Sequence, residues 1–158
     1  MKSQFKRRLI RERVLQILYA YEMNTEGLQA LIDSVLNDIH KDEDRVFADL
    51  LVHKVLVKKK ELDEIIEERI SNWEMDRITL IDKILIRMAI CELKYFEDIP
   101  PKVSINESIE IAKEYSTAGS GKFINGILDA VYEDLKNKGI LNKTGRGLID
   151  ETIKPAKK

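Results

Sequence analysis

A chain of 158 residues with 44% apolar and 35% charged side chains is long enough to build one core and too apolar to be disordered. Its net charge of −1 excludes a bulk attraction for polyanions, and its single cysteine, Cys91, excludes an internal disulfide framework or a cysteine metal cage. No apolar run approaches the ~18 residues of a membrane span, and no signal-peptide core follows the basic N-terminus, so a soluble, cytoplasmic protein is expected.

Seven Gly and three Pro are few interruptions, and they favour helices. Residues 5–22 place Ile10, Val14, Ile17, Leu18 and Tyr21 on one apolar stripe, which predicts a helix ended by Asn24 and Gly27. A shorter pattern covers 28–39. The charged stretch Lys41-Asp42-Glu43-Asp44 suits the start of the next helix. Residues 45–70 read as helical, with Phe47, Leu50, Leu51, Val55, Leu62, Ile65, Ile66 and Ile70 as the stripe and Lys58-Lys59-Lys60 as a point of division. Ser71 to Asp76 reads as a short connection. Residues 77–96 are apolar over a wide arc, as a central helix touched on several sides would be. Pro100-Pro101 interrupts, and Ser104-Ile105-Asn106-Glu107 has the spacing of a capping box opening a further helix. Ser116 to Gly121 reads as a loop and 122–137 as the last helix. The domain therefore spans 1–138, and 139–158 is a basic, weakly held tail. No strand alternation and no fixed repeat are present, so the fold class is all-α with about seven helices.

The distribution of charge is more informative than its sum. Residues 1–13 hold Lys2, Lys6, Arg7, Arg8, Arg11 and Arg13 against one acid, Glu12. Helical spacing sends Arg7, Arg8 and Arg11 from one side, away from much of the apolar stripe, with Tyr19 at the azimuth of Arg8. A guanidinium row beside an aromatic pairs phosphates and stacks on unpaired bases, although a solvated outer face has the same pattern. Ala118-Gly119-Ser120-Gly121-Lys122 lacks the leading Gly and the final Ser or Thr of a nucleotide-hydrolysing loop, since Ser116 and Phe123 stand there. What remains is a glycine-rich turn at a helix start, with Lys122 for a backbone and Phe123 for a base. The plainer reading caps the helix with Ser120 and buries Phe123. Gly126, inside the last helix, costs ~1 kcal/mol against Ala and predicts a neighbouring helix in close approach. His40 and His53 have no ligating partners, and no nucleophile–base set stands out, so neither catalysis nor a metal or cofactor is expected. Cys91 reads as a small buried residue.

These residues carry a resemblance. Arg7-Arg8-Leu9-Ile10-Arg11-Glu12, Gln16-Ile17-Leu18-Tyr19, Trp73, Asp82-Lys83-Ile84-Leu85-Ile86-Arg87-Met88-Ala89, Ile99-Pro100, Val103 to Lys113 and Ser120 to Leu128 follow the order and spacing of the NusB family of bacterial transcription antitermination factors. The likeness runs from about residue 5 to 135; 24–70 match only in pattern, and the tail after 138 matches nothing. The resemblance implies two small helical bundles packed into one domain. It implies binding of boxA-type single-stranded RNA from rRNA leader transcripts together with the ribosomal protein NusE, joining other Nus factors on RNA polymerase. It assigns RNA binding to Arg7, Arg8, Arg11, Lys122 and Phe123, and partner binding to Tyr19 and Asp82. Many relatives carry an acid where this chain has Gly119, so a contact from that acid is absent here. A second expectation comes from rRNA cytosine methyltransferases with a NusB-like accessory domain, which would need a few hundred further residues for catalysis. A bare helical scaffold without RNA binding is a third, against which the basic first helix argues.

Overall fold

The computed structural model describes residues 2–149, without the side chains of residues 2–5, Asn72 and Trp73. The expectation of a weakly held tail lies outside the described residues over 150–158. Eight α-helices and one 3-10 turn are present and no strand occurs among the described residues. The chain divides into two compact units, residues 1–57 and 58–158.

The first unit is built from α1 (Lys2–Met23), α2 (Leu28–Val35) and α3 (Asp42–Val57). The stripe Ile10, Val14, Ile17 and Leu18 of α1 is buried, and α1 packs on both other helices. Gly27 opens α2 at φ 65°, a left-handed conformation that glycine adopts without strain. Arg13 then clamps α1 to the chain after α2. Its guanidinium donates to both carboxylate oxygens of Asp38 (2.6 and 3.0 Å) and to the Val35 carbonyl (2.9 Å), which holds the Asp38 carboxyl below the usual range. In α3, Phe47, Ala48, Leu51, Val52 and Val55 form the buried face. Leu50, expected in that face, is exposed instead, because it projects with Val46 and Val57 from the opposite side of the helix.

The second unit is organised by α6 (Leu80–Tyr95), which packs on α4 (Lys59–Glu67), α7 (Pro101–Tyr115) and α8 (Ser120–Asn137). The wide apolar arc has the expected consequence: every residue from Ile84 to Leu93 is buried, Cys91 included. Two of those ten are charged, and a buried charge is tolerated only with a partner. Arg87 donates twice to Asp63 of α4 (2.7 and 3.1 Å), and Glu92 accepts from Ser104 of α7 (2.6 Å). Nearby, Glu61 accepts from Lys94 and from the Tyr95 hydroxyl, both at 2.6 Å. Burial pushes the Glu61 carboxyl up, but these two donors together hold it below its ordinary value. Burial and the same carboxylate push the Tyr95 phenol up to about 12.

Four local expectations need correction. Residues 71–76 are not a bare connection: α5 (Asn72–Arg77) forms there, opened by a capping box in which the Ser71 amide donates to Glu74 (3.0 Å). The Ser104–Glu107 spacing is not a cap. The helix begins at Pro101, whose fixed φ and missing N–H suit a first position, and Ser104 and Glu107 are both buried inside it. Ser120 is the first residue of α8 rather than its cap. Gly126 is exposed and a Cβ there would meet nothing within 4 Å, so no neighbouring helix accounts for it.

After α8 the described chain returns to the end of α6. Lys143 donates to the carbonyls of Glu92 (3.0 Å) and Phe96 (2.8 Å), and the Thr144 amide donates to Glu97 (2.9 Å). Gly147 in the 3-10 turn (Gly145–Leu148) lies so close to the Glu97 carbonyl that a Cβ would collide with it. Burial pushes the Lys143 amine down to about 8, against the pull of Glu92, Asp98 and Glu97.

Candidate nucleic-acid interface

The basic segment of α1 is not a free row of guanidinium groups. Arg7 lies 4.2 Å above the centroid of the Phe47 ring, and its Nη2 is 3.8 Å from Asp44 Oδ1. Lys6 approaches the other oxygen of Asp44, also at 3.8 Å. Arg11 is 5.3 Å from the same ring centroid and only 4% exposed, so it is more enclosed than Arg7 and Arg8. The π face of Phe47, supplied by α3, accepts cations from two successive turns of α1 and is one of the contacts that enclose Arg11. Arg7 and Arg8 remain partly exposed, Lys6 is exposed, and Tyr19 lies further along α1 at 39% exposure. Asp44, read from sequence as a helix-start acid, is 4% exposed and answers part of the positive charge. The surface that remains is cationic, aromatic at its far end, and held in place from beneath.

The turn before α8 presents the second set of residues. Thr117 to Gly119 lead into α8, and the first residues of that helix divide two concavities. Phe123, 37% exposed, is not a core residue; it lines a cavity of about 310 Å³ with Arg77, Thr79, Asp82 and Thr117. Lys122, its neighbour in sequence, lines a separate groove of about 580 Å³ with Asn106, Lys113 and Asn125. One concavity is walled by an aromatic ring; the other is edged by two ammonium groups and two carboxamides. A polynucleotide has those two chemistries, base and phosphate, on adjacent bonds.

Asp82 occupies the third position of α6, where its amide donates to the Thr79 hydroxyl that caps the helix (3.1 Å). Its side chain is 5% exposed, and Oδ2 accepts from Ser120 Oγ of α8 (2.8 Å). Ser120 is also within hydrogen-bond distance of the Ser116 (2.9 Å) and Thr117 (3.0 Å) hydroxyls, so the turn is fixed to α6 through one residue. Asp82 is thus largely enclosed, at the wall of the cavity that Phe123 lines. Sequence reading missed Phe47 and Asp44 as supports of the basic helix, and Asn106, Lys113 and Arg77 as companions of Lys122 and Phe123. A phenylalanine in a helical stripe signals only core. Asn106 and Lys113, one turn of helix apart twice over, are the signal that was available. Tyr19 belongs to the first unit and Asp82 to the second. Among the described residues no group of three His, Cys, Asp or Glu side chains is placed to hold a metal ion, and no helix is long and apolar enough to cross a membrane.

Comparison with known proteins gives a consistent picture. The profile described as the NusB family matches residues 8–133. A protein of Chloroherpeton thalassium named transcription antitermination protein NusB is 48% identical over 157 residues, covering 96% of this chain and 72% of its own. A protein of the same name from Salinibacter ruber is 49% identical over 146 residues, covering 90% and 91%. Among solved structures, NusB of T. maritima superposes with a TM-score of 0.75 at 32% identity, covering 81% of this chain and 91% of its own. A chain from a structure of the antitermination factors NusB and NusE in complex with double-stranded RNA superposes at 0.73 with 25% identity, covering 85% and 99%.

Proposed function

The chain belongs to the NusB family, and on that premise we propose that it is a transcription antitermination factor that binds boxA-type RNA of rRNA leader transcripts together with the ribosomal protein NusE. It then acts on RNA polymerase in company with other Nus factors, in the cytoplasm and without catalysis. The observation that carries this reading is Phe123. An aromatic ring left 37% exposed at a helix start, beside a cavity on one side and a lysine-edged groove on the other, is placed to stack on a base. A relative known in complex with NusE and RNA supports the choice of ligands. The relatives named above are antitermination proteins, which favours this reading over a methyltransferase accessory domain.

In this assignment Arg7 and Arg8 supply sequence-neutral charge to the phosphates, and Arg11 holds Phe47 and hence the helix surface in place. Lys122 supports the backbone and Phe123 stacks on a base. Tyr19 and Asp82 serve the protein partner. Residues 1–138 form the binding domain, and 139–158 follow it as a basic C-terminal tail.

Calorimetry on the protein with boxA-type RNA, with and without NusE, tests the reading. Two ligands that bind cooperatively raise each other's affinity by one common factor, typically ~1–3 kcal/mol, so RNA affinity should rise about 5- to 150-fold when NusE is present. Equal affinity in both titrations would remove the cooperative assembly from the account.

A further inference from the structure

Asp44 stands apart from the other acids that open α3. Asp42 and Glu43 are exposed, whereas Asp44 is 4% exposed and lies against the basic segment of α1. Two cations approach its carboxylate, Arg7 at Oδ1 and Lys6 at Oδ2, each at 3.8 Å. Neither is at hydrogen-bond distance, and Oδ2 is closed to water with no hydrogen-bond partner among the described residues. A carboxylate taken out of water is costly when no donor satisfies it, and native proteins rarely keep one without a use. The two cations, and the positive end of α3 in whose first turn Asp44 lies, offset that cost through charge alone. Arg7 has a second support, since its guanidinium rests on the Phe47 ring. Withdrawing the Asp44 charge would therefore free Arg7 electrostatically and still leave it seated. A buried charge is screened by salt far less than an exposed one, so Asp44 opposes these cations across the salt range in which RNA binds.

We propose that Asp44 is an internal counter-anion that competes with RNA phosphate for Lys6 and Arg7, and so sets the sequence-neutral affinity of α1. Lys6 is exposed and Arg7 partly so, which leaves both within reach of a phosphate, whereas the enclosed Asp44 acts through them and touches no RNA itself. Phosphate contacts carry no sequence information, so an unopposed cationic helix would hold any RNA. By neutralising part of that helix, Asp44 lowers occupancy on bulk RNA and leaves recognition to contacts elsewhere. The inference rests on the RNA-binding reading above, and adds a residue that restrains it.

The test is RNA binding across a salt series, with boxA-type and scrambled single strands, for the unaltered chain, Asp44→Asn and Asp42→Asn. Asp44→Asn keeps the shape and removes the charge. Affinity should rise about two- to ten-fold for both RNAs in equal proportion, as for the loss of two partly exposed ion pairs. The log–log salt slope should steepen by up to about 0.7, the contribution of one phosphate on a single strand. Asp42→Asn removes the same charge from the exposed side of the same helical turn and should change affinity much less. In a Lys6→Ala, Arg7→Ala background, Asp44→Asn should gain nothing, a dependence that a merely structural role would not produce. Circular dichroism and melting establish the fold, and Asp44→Ser carries the same expectation should the Asn variant fail to fold. Equal gains from Asp44→Asn and Asp42→Asn would overturn the proposal in favour of net charge alone. Weaker binding by folded Asp44→Asn would overturn it in favour of a support for α1. Absence of RNA binding by the unaltered chain would instead remove the reading on which it rests.

Discussion

The basic end of α1 and the turn before α8 both present cations and an aromatic ring, yet they are built in opposite ways. In the first unit the ring is underneath: Phe47 is buried, and Arg7 and Arg11 lie on it with Asp44 alongside. In the second unit the ring is on top: Phe123 is exposed, and the acid beside it retains an unpaired oxygen. A cation whose position is fixed by an internal aromatic can attract a phosphate but carries no information about the base attached to it. An exposed ring beside a cavity can stack on a base and help select it, but contributes little long-range attraction. On the proposed RNA-binding reading, affinity and selection are divided between α1 and α8.

The largest effect that would break this comparison comes from removing the ring beneath α1. Phe47→Ala deletes a core aromatic, and such changes typically cost ~3–5 kcal/mol of stability. Thermal melting should show that loss, and RNA binding by the folded fraction should weaken for all sequences alike. A variant that melts normally and binds normally would show that α1 needs no support from α3.

A smaller effect sharpens the same contrast. Changing Arg7 and Arg8 together to Ala removes about two phosphate contacts, so the log–log salt slope should flatten by about 1.4 for single-stranded RNA. Cognate and scrambled RNA should lose affinity in equal proportion. An unchanged slope, in a folded double variant, would move the phosphate contacts elsewhere. The smallest effect concerns α8 away from the turn. Gly126 is exposed with open space around it, so Gly126→Ala should gain up to ~1 kcal/mol from helix propensity and leave RNA binding alone. A fall in melting temperature would mean that the space is not open in solution.

Sequence carried most of the fold because helical periodicity is a local property. The stripe of α1, the encircled α6 and the division near Lys58 all follow from the spacing of apolar residues along one element. It failed where a partner on another element decides the outcome. Arg11 lies next to Ile10 in sequence, and its enclosure beside the Phe47 ring depends on another element that the spacing within α1 does not show. Ser104 and Glu107 have cap spacing, but Pro101 starts the helix earlier and Glu92 claims the Ser104 hydroxyl. Ser120 looked like a cap because Ser before a helix usually is one; the Asp82 carboxylate, 38 residues away, is its actual acceptor. Gly126 invited a packing explanation that the open space around it removes, and nothing in the structure explains that glycine. At the candidate interface, the residue types at Arg7, Arg8, Lys122 and Phe123 were visible in sequence. The cavity beside Phe123 was not, since it needs α5, α6 and α8 to be in place.

The separation of affinity from selection is tested most directly by measuring one quantity on two variants: the ratio of cognate to scrambled RNA affinity across a salt series, for Phe123→Ala and for the Arg7, Arg8 double variant. Loss of base stacking is worth ~1–3 kcal/mol per base, so Phe123→Ala should lower that ratio while its salt slope stays parental. Because the residue is 37% exposed, its melting temperature should fall less than that of Phe47→Ala. The arginine variant should show the reverse, a flatter slope with the ratio preserved. If both variants shift slope and ratio together, charge and base selection are not separate in this protein and the account is wrong.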